Sequence, residues 1–347
     1  MSETRNILED SVNRLFSDEL DWDALAKIEQ EGFPQSLWDQ VTEQGLHLVL
    51  ASEQAGGMGA GWGDAYAVMR ECGRHAVPLP VVEALIAYGL ASAANMPLPA
   101  GIPGLIDKPL VVEGGQVSLS DVSVPWGAQA AYLMGMQPSQ GGSQLVLLDT
   151  ADVEVTQQQN LGRDARDVLN GTAAVTASAS CPMPADAILW CGALARSVQI
   201  AGAGAAALEL ATTYAAEREQ FGRPLARFQA IQHHLADLAG VVASVDAMAL
   251  AACEAFDNRG IENQSRDARL EIAAAKCRAS EAVEKLTRLS HQVHGAIGFT
   301  YEYGLHFTTR RLWSWRSEFG GAAHWGEYLG NAALKAGGNG VWPMITA

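Results

Sequence analysis

Long stretches with the periodicity of amphipathic helices dominate the chain after Gly192. Three of them, at 193–221, 230–256 and 265–295, follow one another with short connections, and a fourth follows Glu318. Each stretch places apolar residues three and four positions apart, which is the spacing of a helix with one buried face. Four such helices joined by short loops predict an up-and-down bundle.

Two regions of different texture precede this bundle. Helical stretches at 7–20, 36–46 and 62–76 are followed by five prolines between Pro78 and Pro103, which interrupt the helical pattern. From about Lys108 to Leu189, short runs rich in Val, Thr and Ser predict an antiparallel sheet or small barrel. The predicted fold is mainly α with a central β-domain: an N-terminal helical domain (1–104), a middle β-domain (105–190) and a C-terminal four-helix bundle (191–347).

Charge and cysteine content exclude several classes of protein. The 347 residues include 23 Lys and Arg against 39 Asp and Glu, which argues against nucleic-acid binding because that affinity comes mainly from cations on phosphates. Five cysteines without a CxxC pair predict neither a disulfide framework nor a zinc site, as is typical of the reducing cytoplasm. No secretory signal opens the chain, and the apolar stretch 201–210 is shorter than the ~20 residues that span a bilayer. We therefore expect a cytoplasmic protein without membrane contact.

The segment 218–232, between the first two bundle helices, concentrates groups that can bind a diphosphate. Arg218 offers a planar fork of donors that matches phosphate oxygens, and Gln220 and Gln229 offer further hydrogen bonds. Phe221 or Phe228 can supply a stacking surface. The alternative is a turn between helices with a solvated arginine.

A second segment, 291–303, ends the third bundle helix. Gln292 is followed by Gly295 and Gly298, and glycines allow a backbone to approach a ligand closely. The alternative is an ordinary helix C-cap with a tight turn. The histidines at 233, 234 and 306 lack the spacing of a metal site, so no metal is expected.

Together these segments resemble the acyl-CoA dehydrogenases. The resemblance rests on Arg-x-Gln-Phe-Gly-Arg-Pro from Arg218, Phe-Gln-Ala-Ile-Gln from Phe228, and Gln-x-x-Gly-x-x-Gly-Phe from Gln292. It extends upstream to Glu-x-x-Gly-Gly-x-Gly from Glu53 and Glu-Cys-Gly-Arg from Glu71, and the order helical, β, four-helix bundle is also that of the family.

The resemblance implies an FAD enzyme that removes a proton and a hydride from the α and β carbons of an acyl-CoA thioester. The family uses a carboxylate base and passes the electrons to an electron-transfer flavoprotein. Because the family's FAD contacts cross a dimer interface, an oligomer is implied, and Arg196 lies near the position of a CoA-contacting arginine. The residues that match the FAD contacts are Arg218, Gln220, Phe228, Gln229, Gln292 and Gly295.

The chain departs from the family where the chemistry occurs. The usual base falls on Phe319, and Glu318, one residue earlier, is rotated by ~100° on a helix. Some members of the family carry the base on the first bundle helix instead, but residues 192–199 at that position include no Asp or Glu. The family's flavin-binding segment before the β-domain is absent, the β-domain is short, and Trp126 matches the flavin-contacting strand while Ala128 replaces its hydroxyl. No catalytic residue is therefore assigned.

The segment 319–324 resembles a subgroup that acts on steroid and other bulky acyl-CoA esters in bacterial catabolism. Its members are heterotetramers in which one subunit carries the base and the other, with a degenerate site, lends its Arg and Gln loops to the partner's FAD. The resemblance favours a subunit of such an enzyme, either catalytic with Glu318 as base or a non-catalytic partner. A flavin-dependent oxidase or monooxygenase on the same fold is the third alternative.

Overall fold

A computed structural model describes residues 3–140, 142–262 and 267–346. Five α-helices form the N-terminal part, and in the first of them the buried residues, such as Val12 and Phe16, lie on one face. The helices are α1 (Glu3–Glu19), α2 (Trp22–Glu31), α3 (Gln35–Glu43), α4 (Trp62–Arg74) and α5 (Val81–Ala93).

Helix α5 begins directly after Pro80, where the sequence pattern predicts an end of helical structure. A proline is tolerated at a helix start because the N–H that it lacks would have no partner there. Helix α5 is apolar on nearly all sides and its residues are mostly buried, so it shows no amphipathic stripe.

The middle domain consists of six strands with neighbour order β1-β3-β4-β6-β2, and β5 pairs with β6. Strand β1 runs parallel to β3, and all the other pairs are antiparallel. This confirms the central β-domain. The strands are β1 (Ile102–Leu105), β2 (Gln116–Pro125), β3 (Ala130–Ser139), β4 (Gly142–Leu148), β5 (Val153–Thr156) and β6 (Arg166–Cys181).

The C-terminal part is a helical bundle. The expected fourth helix after Glu318 is present as α10, but a shorter helix, α9, precedes Glu318 and packs on α6 and α8. The start of the third expected stretch, 265–266, lies outside the described residues. The elements are α6 (Ala187–Glu217), the hairpin β7 (Glu219–Gln220) and β8 (Arg223–Pro224), α7 (Gln229–Arg259), α8 (Arg269–His294), α9 (Leu305–Trp315), α10 (Ala322–Ala336) and α11 (Gly338–Thr346).

Glycines bring α4 and α6 into backbone contact. A Cβ at Gly73 would overlap the Gln199 carbonyl, and a Cβ at Gly202 would overlap the Arg70 carbonyl. This close approach fixes the N-terminal helices on the first bundle helix.

Helix α7 is long and apolar enough to cross a membrane by length and composition, although core helices of soluble proteins pass the same test. In the single chain only 33 % of its most apolar window is buried. Much of this helix is therefore left available to a neighbouring molecule.

Candidate functional site

The segment 218–228 forms a short exposed hairpin at one end of the bundle. Gln220 pairs with Arg223 in the β7–β8 ladder. The two turn residues, Phe221 and Gly222, have φ values of 54° and 78°. Two positive φ values in a two-residue loop fit a type I′ hairpin, in which glycine adopts the second position without strain. The hairpin therefore places the Phe221 ring, which is 90 % exposed, at its tip.

The candidate side chains of this hairpin face outward. Arg218 follows α6 directly and is exposed, and its guanidinium has no ion pair within the described residues. The Arg223 guanidinium lies 4.2 Å from the centre of the Phe228 ring, which is half-buried at the start of α7. Gln229, the first residue of α7, is exposed.

The second candidate segment lies at the same end of the bundle. Gln292 is exposed on the last turn of α8, and Gly295 caps this helix with φ of 64°. A Cβ at Gly295 would meet no other atom within 4 Å, so its backbone faces open space. Exposed donors and an open backbone can contact a ligand that another molecule presents.

The segment 217–229 carries a local excess of positive charge. Arg218, Arg223 and Arg227 are exposed there against two exposed carboxylates, Glu217 and Glu219, although the chain as a whole has a net charge of −16. A local excess of cations on an acidic protein favours an anionic ligand such as a diphosphate.

Arg196 lies elsewhere, inside the molecule. Its side chain is 2 % exposed, and its guanidinium donates to Glu83 of α5 (2.5 Å), to Glu318 (2.8 Å) and to Gln199. A guanidinium with these partners cannot reach a CoA phosphate from solvent. The expected contact of Arg196 with CoA is therefore wrong, and the residue joins α5, α6 and the segment after α9.

Glu318 belongs to the same network. Arg166 of β6 donates to both of its oxygens (2.9 and 2.7 Å), and Asn160 donates to Oε1 (2.9 Å). The guanidinium groups of Arg166 and Arg196 lower the pKa of Glu318 far below its ordinary value, although burial opposes this shift. A base needs a pKa near the working pH, so this carboxylate is unsuited to remove the α-proton.

Lys276 of α8 holds the segment that carries Glu318. Its Nζ donates to the carbonyl oxygens of Trp315 and Arg316 at 3.0 Å, at the end of α9. Burial lowers the pKa of Lys276 to about 7. The network around Glu318 thus includes side chains from α5, α6, β6 and α8.

Phe319 fills the place where sequence alignment puts the family's base. Its ring packs on α6 so closely that a Cβ at Gly192 would overlap it, and the Arg196 guanidinium lies 5.4 Å from its centre. Phe319 has φ of 52°, an uncommon value for a non-glycine residue, and Gly320 follows with φ of 85°. An apolar ring and a charge network thus lie beside α6 at its contact with α5.

The position expected to face a flavin ring is also altered. The Ala128 N–H donates to Asp167 Oδ2 at 2.7 Å, and the ring of Phe33 packs edge-on against Trp126 at 5.8 Å. A cavity of about 600 Å³ beside Trp126 is bounded by Asp167 and, from the N-terminal helices, by Ile28, Glu29, Gly32, Phe33 and Pro34. A methyl group stands where the family has a hydroxyl, and a buried carboxylate takes the neighbouring N–H.

These contacts test whether the chain fits FAD. The cavity next to Trp126 offers a flavin ring neither the family's hydroxyl nor the Ala128 N–H, which Asp167 accepts, although Arg163 and Arg311 also line it. The hairpin and the α8 turn do suit the diphosphate of a nucleotide presented from outside. Neither Arg166, Asp167 nor Glu83 was found from the sequence, because each lies in a strand or apolar helix without any motif.

The chain matches sequence models of two domains of one family. Residues 187–318 match the acyl-CoA dehydrogenase C-terminal domain, and residues 2–96 match the acyl-CoA dehydrogenase N-terminal domain. The acyl-CoA dehydrogenase IpdE2 of Mycolicibacterium smegmatis is 28% identical over 321 residues, which are 90% of this chain and 93% of that protein. The IpdE2 protein of Mycobacterium tuberculosis is 28% identical over 298 residues, 82% of this chain and 83% of that protein.

Solved structures share the fold over nearly the full length. A variant of the Tcur3481-Tcur3483 steroid ACAD superposes with a TM-score of 0.81 and 24% identity, covering 96% of this chain and 98% of that chain. The ChsE4-ChsE5 complex of Mycobacterium tuberculosis gives a TM-score of 0.81 and 20% identity, covering 95% and 97%. Because both identities are below 25%, the similarity to these structures shows the fold of the chain and nothing further.

Proposed function

Because the chain belongs to the acyl-CoA dehydrogenase family, we propose that it is one subunit of a heteromeric acyl-CoA dehydrogenase. In this assembly it completes the FAD site of a related catalytic subunit and contributes no base of its own. The observation that carries the proposal is the combination of a carboxylate that two arginines bind, Glu318, with a hairpin that is exposed. Glu318 is bound by Arg166 and Arg196, while Arg218 and Gln292 face outward.

The residues that would hold the partner's cofactor are those of the exposed end of the bundle. Arg218 is suited to bind the diphosphate, Gln220 and Gln229 to add hydrogen bonds, Phe228 to pack against the nucleotide, and Gln292 with Gly295 to bring donors close to it. FAD supplies the hydride acceptor in this family when bound. The role of this chain is to bind and orient, because the proton is removed elsewhere.

The fold neighbours support a heteromer. One is a steroid acyl-CoA dehydrogenase and another is a complex of two differently named chains. The exposed apolar surface of α7 is consistent with a subunit that is covered in an assembly. We propose an acyl-CoA ester with a bulky or steroid-derived acyl group as substrate, an electron-transfer flavoprotein as acceptor, and the cytoplasm as location.

The proposal is tested by co-expressing the chain with the product of its neighbouring open reading frame. FAD retained after gel filtration and acyl-CoA oxidation are measured for wild type, Arg218→Ala and Arg14→Ala. Arg14 is exposed on α1, so Arg14→Ala controls for the loss of a surface cation. We expect Arg218→Ala alone to lower FAD retention in an assembled complex. Equal FAD retention in all three complexes would refute the role of the hairpin.

A further inference from the structure

The two halves of the candidate cofactor surface come from different helices, and a pair of rings joins these helices beneath it. Tyr214 lies on the last turn of α6, and its carbonyl accepts the Arg218 N–H at 2.9 Å. His294 ends α8 directly before Gly295. The rings of Tyr214 and His294 are stacked, with centroids 4.8 Å apart and planes 24° apart.

His294 is held in one orientation. It is 3 % exposed, its Nδ1 lies 2.7 Å from the Ser290 carbonyl oxygen, and Nε2 has no hydrogen-bond partner among the described residues. A bond from Nδ1 to a carbonyl requires the proton on Nδ1, and burial lowers the pKa of His294, which favours the neutral ring, although the Ser290 and Leu210 backbones oppose this shift. Tyr303 packs on the same ring at 4.8 Å and on Tyr214 at 5.9 Å.

We propose that Tyr214 and His294 are positioning residues that set the spacing between Arg218 and the Gln292–Gly295 turn. With the rings stacked, both groups reach one diphosphate of the partner's cofactor at the same time. The inference rests on the proposed function and deepens it, because it identifies what couples the two contacts.

The proposal carries a pH dependence. Burial lowers the pKa of His294, and the titratable groups around it are His291 on its own helix, Tyr214 on α6, Tyr303 before α9, and His306 on α9, which acts through His291. Because the pKa of His294 is lowered on folding, the folded arrangement is favoured while the ring is neutral, above the ordinary pKa of 6.5. As the pH falls below 6.5, protonation of the ring increasingly favours states in which His294 is not buried, and the stability of the stacked arrangement falls. FAD retention should therefore weaken on acidification.

The test uses the complex of the chain with its neighbouring gene product, and FAD dissociation is followed by flavin fluorescence between about pH 5 and 8. Tyr214→Leu removes one ring, and we expect it to weaken FAD binding on the order of tenfold at neutral pH, in keeping with the strength of an aromatic pair. Tyr214→Phe keeps the ring and should restore tight binding. His294→Phe keeps a ring that cannot be protonated, and it should flatten the acid limb of the pH profile.

Tyr328→Leu is the matched control, because it also removes a half-buried ring. The Tyr328 ring packs on Trp190, with centroids 5.1 Å apart, and it lies away from the α8 turn. Thermal unfolding and gel filtration report folding and assembly of every variant. If Tyr214→Leu does not assemble, the pH profile of His294→Phe decides the question.

Two results would overturn the inference: FAD affinity of Tyr214→Leu equal to that of wild type, or an unchanged acid limb in His294→Phe. Failure of this inference is distinguishable from failure of the proposed function. If Arg218→Ala weakens FAD binding while Tyr214→Leu does not, only the positioning role is wrong. If Arg218→Ala has no effect, the proposed function itself is wrong.

Discussion

Both oxygens of Glu318 accept hydrogen bonds from charged donors. Oε1 bonds to Asn160 and Arg166, and Oε2 bonds to Arg166 and Arg196. The side chain is 15 % exposed. Since breaking a buried pair leaves the opposite charges without compensation, the role of Glu318 is expected to appear in stability.

Replacing Glu318 by glutamine should lower the free energy of unfolding by roughly 3–5 kcal/mol, because Arg166 and Arg196 then lose their shared counter-charge. Turnover per assembled complex should stay close to that of wild type. Chemical denaturation of the purified chain and acyl-CoA oxidation by the complex measure the two quantities. Glu327→Gln, at an exposed carboxylate on α10, is the control.

The pH dependence of this variant follows from the lowered pKa of Glu318. A carboxylate whose pKa is lowered on folding adds stability above its ordinary value of 4.5 and loses it as the pH falls. The stability difference between wild type and Glu318→Gln should thus shrink as the pH falls into the acid range. A variant of full stability without turnover would instead identify Glu318 as the base.

At the scale of elements, the contact between α4 and α6 depends on glycines. Gly202→Ala would place a methyl group on the Arg70 carbonyl, and we expect a loss of about 1–3 kcal/mol in the free energy of unfolding as the helices separate. Gly240→Ala is the matched control in α7, because its Cβ would meet nothing within 4 Å. Denaturant titration of both variants compares them, and equal stability would contradict the close packing.

The sequence predicted some elements well for physical reasons. Helices α1, α3, α4 and α8 carry an amphipathic stripe, and strands β2 and β6 are rich in Val, Thr or Ser, so local patterns suffice. In α6, by contrast, residues 190–204 are all buried, so its length and not one apolar face identifies it. Helix α5 is buried on nearly all sides, and the prolines before it resemble a terminator. Helix α9 is short and follows the segment 291–303, whose glycines predict a turn. The bundle's fourth position was therefore assigned only to α10.

The candidate site residues likewise include some that the sequence identifies and some that only the folded chain brings together. The hairpin residues form a contiguous motif, which made them recognisable from sequence. The charge network joins Glu83, Arg166, Arg196 and Glu318, and the partners are separated by 113 to 152 positions in the chain. No local pattern relates such distant residues, so the network becomes evident only when the chain is folded.

At the scale of the whole molecule, this network joins three domains. Glu83 lies in the N-terminal helices, Arg166 in the β-domain, and Arg196 and Glu318 in the bundle, and the two positive charges balance the two negative ones. These four mutually compensated side chains therefore link the three parts of the chain.

The most direct test of this account is the flavin content of the chain purified alone, read from its visible absorption spectrum and compared with that of the co-purified complex. We predict that the chain alone is folded, colourless and inactive toward acyl-CoA, and that the complex carries FAD and is active. A lone chain that retains FAD and oxidises an acyl-CoA would contradict the account.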